Sequence, residues 1–116
     1  MYSEQLMALF HSRAHAGNLE GATHYGEAGA PGGGPYIRVW LQVVDGIVAV
    51  ARYKTYGCPA AIACAEAASA GSEGRPLADL SEATAEAVQG WVGGVPEGKE
   101  HCPELAALAL RSVTSP

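Results

Sequence analysis

Apolar and polar residues alternate from Tyr36 to Val43, with Ile37, Val39, Leu41 and Val43 on one side and Tyr36, Arg38, Trp40 and Gln42 on the other. A period of two is that of a half-buried strand. Asp45-Gly46 follows as a turn. A two-residue loop would pair Val43 with Val48 and bring Arg52 and Lys54 onto the apolar face. The pattern therefore predicts a three-residue loop, Val44-Asp45-Gly46, that pairs Val43 with Ile47, Leu41 with Ala49, Val39 with Ala51 and Ile37 with Tyr53. The second strand then runs through Thr55-Tyr56-Gly57 into Cys58. A fainter strand signal spans Thr23 to Ala28.

Helical spacing marks the remaining elements. Leu6, Leu9 and Phe10 fall three and four apart behind Ser3, a capping residue, and predict a short amphipathic helix over Ser3–Phe10. The stretch from His11 to Gly21 and the Gly/Pro-dense stretch from Gly26 to Pro35 read as loops. Pro59–Ala70 is almost entirely small residues, which suits a helix packed closely on a sheet, and Gly71 to Gly74 ends it. Leu77 to Leu80 reads as one turn, Ser81 as the cap of a helix through Val88, and Gly90–Gly98 as loop. A last helix is predicted from Pro103 to about Ser112, with Leu105, Leu108 and Ala109 as its buried stripe. Residues 1–116 form one domain in this reading, and the element order predicts an α+β fold in which a small antiparallel sheet packs against helices.

Composition narrows the function. With 48% hydrophobic and 16% charged residues, the chain should form a compact core. A net charge of −5 without any Lys/Arg cluster argues against nucleic acid and against an anionic membrane surface as partners. No apolar run approaches the ~20 residues that span a bilayer, and Met1–Phe10 lacks a basic leader pattern, so a cytoplasmic location is expected. Three cysteines are too few for a disulfide framework and point to metal binding, thiol chemistry or plain burial.

Two of the three share a local setting, Cys58-Pro59-Ala60-Ala61 and Cys102-Pro103-Glu104-Leu105. Proline is favoured at a helix start, so both thiols are placed at helix N-termini, where the dipole favours a thiolate. His101 adjoins the second thiol. Cys58, His101 and Cys102 are thus candidate metal ligands, a Cys2His set with an open position. The competing reading treats the cysteines as small buried hydrophobes, and spacing alone does not choose between the two. Cys64 turns to another side of its helix and reads as packing. His11, His15 and His24 have no neighbouring carboxylate in the sequence and read as exposed imidazoles. Trp40 and Trp91 read as packing residues, and Lys99 sits close enough to His101 to stabilise an anionic sulfur. No acid/base dyad, phosphate loop or nucleophile motif marks an enzyme.

The chain resembles the iron-sulfur cluster assembly scaffold family, the IscU type and the similar amino-terminal domain of NifU. The resemblance rests on Tyr2-Ser3-Glu4, on Gly26-Glu27, on Tyr53-Lys54-Thr55-Tyr56-Gly57-Cys58 with Ala60-Ala61-Ile62-Ala63, and on Val95-Pro96 through Lys99-Glu100-His101-Cys102. It implies a labile iron-sulfur cluster or Zn held at Cys58, His101 and Cys102, a cysteine desulfurase as the sulfur-donating partner, and Cys102 as the sulfur acceptor. One family ligand is missing: the family's Cys-Gly-Asp motif is matched here by Gly33-Gly34-Pro35. The family's chaperone-recognition loop survives only as Val95-Pro96-Glu97-Gly98-Lys99, so a chaperone partner is not carried over. The alternative reading is a divergent, metal-free interaction module that keeps the fold and binds a desulfurase or another assembly partner.

Overall fold

A computed structural model describes residues 2–30 and 32–115; Pro31, inside the predicted glycine-rich loop, lies outside the described residues. The first helix, α1 (Glu4–Ser12), starts at the predicted cap, where the Ser3 hydroxyl accepts from the Leu6 N–H. Three strands follow, β1 (His24–Ala28), β2 (Tyr36–Val44) and β3 (Ile47–Tyr56), as an antiparallel sheet in the order β1-β2-β3. β1 thus claims Gly26 to Ala28 from the segment that composition assigns to loop. Gly26 is a packing requirement: a Cβ there would strike the Ala109 carbonyl and lie 2.7 Å from a Val113 methyl. Gly26→Ala should therefore cost about 3 kcal/mol, read as a lower denaturant midpoint at unchanged slope.

The hairpin register corrects the predicted one. The loop has two residues, with Asp45 (φ 53°) and Gly46 (φ 78°) both left-handed, and Val44 faces Ile47. Val43 does pair with Val48, but the register shifts between Gln42 and Val43, so that Gln42 pairs with Val50 and Ala49 is the extra residue of a bulge. The bulge re-aims the rest of β3. Ala51 and Tyr53 turn inward opposite Leu41 and Val39, while Arg52 and Lys54 pair with Trp40 and Arg38 away from the core. The charge mismatch that argues against a two-residue loop is removed by that one residue.

All four helices then close around the core. The long helix α2 (Pro59–Ser72) lies between β3 and the other helices, and Ala60, Ala61, Ala63, Cys64, Ala65, Ala67 and Ala68 are buried around nearly its whole circumference. A central helix contacted on all sides needs small residues, because any larger side chain would hold its neighbours off. After α2, a 3-10 turn spans Leu77–Glu82. Ser81 closes this turn by donating to the Ala78 carbonyl and does not cap a helix. The cap is Thr84, whose hydroxyl accepts from Ala87, and α3 (Ala85–Val92) runs into the segment predicted as loop. Trp91 lies in α3 with its ring against Gly71 of α2.

The last helix, α4 (His101–Arg111), begins two residues before the predicted start. Its buried face is Cys102, Pro103, Ala106, Ala107, Ala109 and Leu110, whereas Leu105 is half-buried and Leu108 is 43% exposed. Burial of Cys102 sets this stripe: residues four, seven and eight positions further on share its side of the helix. Among the described residues no helix is long and apolar enough to cross a membrane.

Candidate functional site

Strand β3 leaves the sheet through Gly57, whose φ of 158° and close approach to Ala61 exclude a side chain: a Cβ would lie 2.8 Å from the Ala61 methyl. This turn sets Cys58 as the N-cap of α2, with Pro59 at the first helical position. Cys102 is the second residue of α4 rather than its cap, and its N–H donates to the Lys99 carbonyl. The two helix starts bring the sulfurs together, with Cys58 Sγ 4.0 Å from Cys102 Sγ across 44 residues of sequence. His101 Nε2 lies 3.6 Å from Cys102 Sγ. For comparison, Zn–S bonds of ~2.3 Å and Zn–N bonds of ~2.0–2.1 Å at tetrahedral angles imply edges of ~3.8 Å and ~3.5 Å. Both edges fit a metal, yet among the described residues no group of three or more His, Cys, Asp or Glu is arranged to hold one. The thiols form a two-point site with an imidazole beside it.

The two sulfurs differ in setting. Cys102 is fully buried, Cys58 is partly open to solvent, and His101 is exposed. Burial raises the Cys58 pKa, but the nearby N–H groups of Ala61 and Ala60, the Cys102 thiol and the Lys99 ammonium outweigh it, so the net direction is down. Burial and the proximity of Cys58 push Cys102 up to about 12, with Lys99 only partly opposing them. Lys99 acts on both thiols in the direction that favours the anion. Cys64 is completely buried, and burial first, then Cys102 and Cys58, push its thiol up to about 12, as suits a packing residue. Tyr2 also reaches the site: burial and the neighbouring Cys58 raise its phenol pKa. No sequence signal singled it out beyond its place in the opening triplet.

The segment matched to the family's Cys-Gly-Asp motif, Gly33-Gly34-Pro35, approaches the turn before Cys58 through Pro35. Gly33 sits in a turn in which its N–H donates to the Ala30 carbonyl, and Pro35 packs beside Gly57, its Cβ 4.0 Å from where a Gly57 Cβ would stand. A cavity of about 360 Å³ bounded by Gly32, Gly34, Tyr36 and Tyr56 opens next to this contact, and Tyr56 is 67% exposed.

One expected exposed imidazole is instead built in. His15 Nδ1 lies 2.5 Å from Glu66 Oε2 and His15 Nε2 lies 2.9 Å from Glu73 Oε1. Its backbone N–H also donates to Glu66 Oε1. These partners are 51 and 58 residues away, so local spacing could not reveal them. His11 is exposed, and His24 is half-buried with its Nδ1 2.9 Å from the Thr23 hydroxyl.

The family model described as the NifU-like N terminal domain matches residues 1–115. Iron-sulfur cluster assembly scaffold protein IscU 1 of Archaeoglobus fulgidus is 33% identical over 111 residues, covering 96% of this chain and 72% of that protein. Nitrogen fixation protein NifU of Azotobacter chroococcum is 28% identical over 116 residues, 98% of this chain but 38% of its own. Among solved structures, a candidate scaffold protein for the SUF system from Fervidobacterium islandicum superposes with a TM-score of 0.75 at 13% identity, covering 94% of this chain and 93% of that one. The amino-terminal part of a NifU-like protein from Brucella abortus gives 0.61 at 17% identity, covering 94% and 76%. The three-stranded sheet with its helices is thus the fold of these proteins, and the chain belongs to the NifU-like N-terminal domain family of iron-sulfur cluster assembly scaffolds.

Proposed function

We propose that this chain is a scaffold-type carrier in iron-sulfur cluster assembly, and that Cys58 and Cys102, with His101 beside them, hold an iron-sulfur species or Zn as cargo. The observation that carries the reading is the 4.0 Å approach of two thiols from two different helix starts. Soft thiolates are the ligands that iron-sulfur clusters and Zn share, and Lys99 favours the anionic form of both sulfurs. Four ligands are the usual complement of such a site. Two or three from this chain leave the remainder to water, a small thiol or a partner protein. That arrangement suits cargo that must be released, and a cysteine desulfurase fits as the sulfur source. The chain acts as carrier, not as catalyst, in this reading.

Metal content tests it. After anaerobic reconstitution with ferrous iron and sulfide, or after loading with Zn, the chain should retain stoichiometric metal. Cys58→Ala and Cys102→Ala should each lower retention by at least about tenfold. No metal above background, and no visible absorbance of a cluster, would rule the reading out. One observation favours the second reading, a metal-free interaction module: the described residues offer no complete three-donor group. Equal, negligible metal retention by the unmodified chain and both variants is its signature.

A further inference from the structure

The absence of a thiol at Gly33 changes what the remaining pair can do. We infer that Cys58 and Cys102 form a sulfur-relay dithiol, in which Cys58 takes up sulfur from a persulfide or polysulfide and Cys102 displaces it as sulfide by closing a disulfide. The inference rests on the sulfur chemistry of the site proposed above, but on no bound metal.

The order of the two thiols follows from depth. Cys102 is completely buried on the inner face of α4, whereas Cys58 is partly open at the N-cap of α2. A donor approaching from solvent meets Cys58 first, so the acceptor is the outer thiol and not Cys102, the position that family resemblance suggests. Once Cys58 carries the extra sulfur, the thiol nearest to it is Cys102, whose Sγ starts 4.0 Å from Cys58 Sγ. Closure to the ~2.05 Å of a disulfide requires the two sulfurs to approach by about 2 Å. Cys64, fully buried on another side of α2, is not placed to compete for solvent-borne sulfur. The segment Gly32–Pro35 adds no thiol.

Each step balances. In the uptake step Cys58 Sγ attacks the outer sulfur of the donor persulfide and the donor's sulfur–sulfur bond breaks. Its electron pair leaves with the donor's inner sulfur, which takes the Cys58 proton as a thiol, and Cys58 then carries a sulfur–sulfur bond to a terminal sulfur. The Cys102 sulfur donates an electron pair to Cys58 Sγ and forms the new bond. The old bond breaks, its electron pair leaves with the terminal sulfur, and the proton given up by Cys102 goes to that sulfur, so that hydrogen sulfide departs. The persulfide is the only oxidant, Cys102 the only group oxidised. A two-electron reductant, such as a small dithiol, then resets the pair.

The test uses the reduced chain, freed of metal by a chelator, with inorganic polysulfide as the probe and intact mass with peptide mapping as the readout. The unmodified chain should lose the mass of two hydrogens and yield a crosslinked Cys58–Cys102 peptide. Cys102→Ser, or Cys102→Ala if the serine variant unfolds, should stop with one added sulfur on Cys58. Cys58→Ser should label Cys102 at least about tenfold more slowly than the outer thiol is labelled in the unmodified chain. Cys64→Ala should crosslink as the parent does. Accumulation of persulfide on Cys58 with Cys102 free would overturn the inference, as would rapid labelling of Cys102 in Cys58→Ser. Metal loading of a parallel sample separates the two readings. A chain that loads metal but does not crosslink refutes the relay alone; one that crosslinks but loads no metal refutes the scaffold alone.

Discussion

Gly33→Cys should raise the affinity for Zn by about a hundredfold. Structural Zn sites with four ligands bind with roughly 10–16 kcal/mol, about 2.5–4 kcal/mol per ligand, so a third thiolate is worth about two orders of magnitude if it reaches the ion. The backbone accepts the change. Among the described residues a Cβ on Gly33 would meet the Ala30 carbonyl, at 3.4 Å, and the Ala30 methyl, at 3.8 Å, both ordinary contacts. Pro35 brings the end of this loop to the Gly57 turn that sets Cys58, its Cβ 4.0 Å from where a Gly57 Cβ would stand. Competition against a chelator of known affinity, with the unmodified chain as reference, measures the gain. An affinity within about threefold of the unmodified chain would mean that position 33 does not face Cys58 and Cys102.

What the sequence discloses and what it hides can be traced to the range of each signal. The strand β2, the cap at Ser3 and the helix behind Cys58-Pro59 are governed by residues within a turn or a strand length of one another, and each stands where its pattern puts it. Errors enter where a short-range rule has two solutions. Alternation cannot see one extra residue, so the shorter loop and the bulge at Ala49 each displace the β3 register by one position, and together by two, without disturbing the rule that produced the prediction. Ser81 and Thr84 are both good caps, and the choice falls to Thr84 because Ser81 is spent on closing the 3-10 turn. The stripe of α4 is set by Cys102, a residue whose burial depends on α2 and the sheet and not on its own helix.

The site divides in the same way. Two Cys-Pro helix starts are visible in the sequence, and their meeting at 4.0 Å follows from the fold. The ligand count does not follow, since His101 lies against Cys102 without completing a three-donor group. The cluster of His15, Glu66 and Glu73 left no trace in the sequence at all, being assembled from a loop, the middle of α2 and the residue that caps its C-terminal end.

That cluster predicts the second large effect: His15→Ala should destabilise the fold by about 3 kcal/mol. Glu66 projects from the middle of α2 with 2% exposure, a place that tolerates a carboxyl only if its oxygens are bonded. His15 supplies one bond from its ring and one from its backbone N–H. Removing one partner of a buried pair costs about 3–5 kcal/mol, and the partial exposure of the imidazole places this case at the low end. The loop is also stitched to β3, since Tyr53 N–H donates to the His15 carbonyl and Gly17 N–H to the Tyr53 carbonyl. Because those bonds survive in the alanine variant, the loss reports the side chain. His15→Ala combined with Glu66→Gln should recover part of the loss, as the amide keeps an acceptor for the residue 15 N–H without a buried charge.

The pH dependence of stability carries an independent signature of the same cluster. Burial pulls the His15 pKa down, but the Glu73 and Glu66 hydrogen bonds outweigh it and raise the value above 6.5. A raised histidine stabilises fully below its unfolded value, and the contribution is lost as pH climbs through the folded one. Burial likewise raises Glu73, but the Ala51 N–H, His15 and Arg52 prevail and hold it below 4.5. A lowered carboxyl stabilises above its unfolded value, and the contribution is lost as pH falls through the folded one. Arg13, Arg52 and Tyr53 are the other ionisable groups around the cluster; the Tyr53 phenol, pushed up to about 12 by burial and by Glu66, stays neutral throughout. The cluster's contribution is therefore greatest between about pH 4.5 and 6.5. Denaturant midpoints should separate the unmodified chain from His15→Ala most at about pH 5.5 and less at about pH 8. A separation that is constant across this range would show that the imidazole's charge adds nothing, and a loss below about 1 kcal/mol at every pH would show that Glu66 is accommodated without the imidazole.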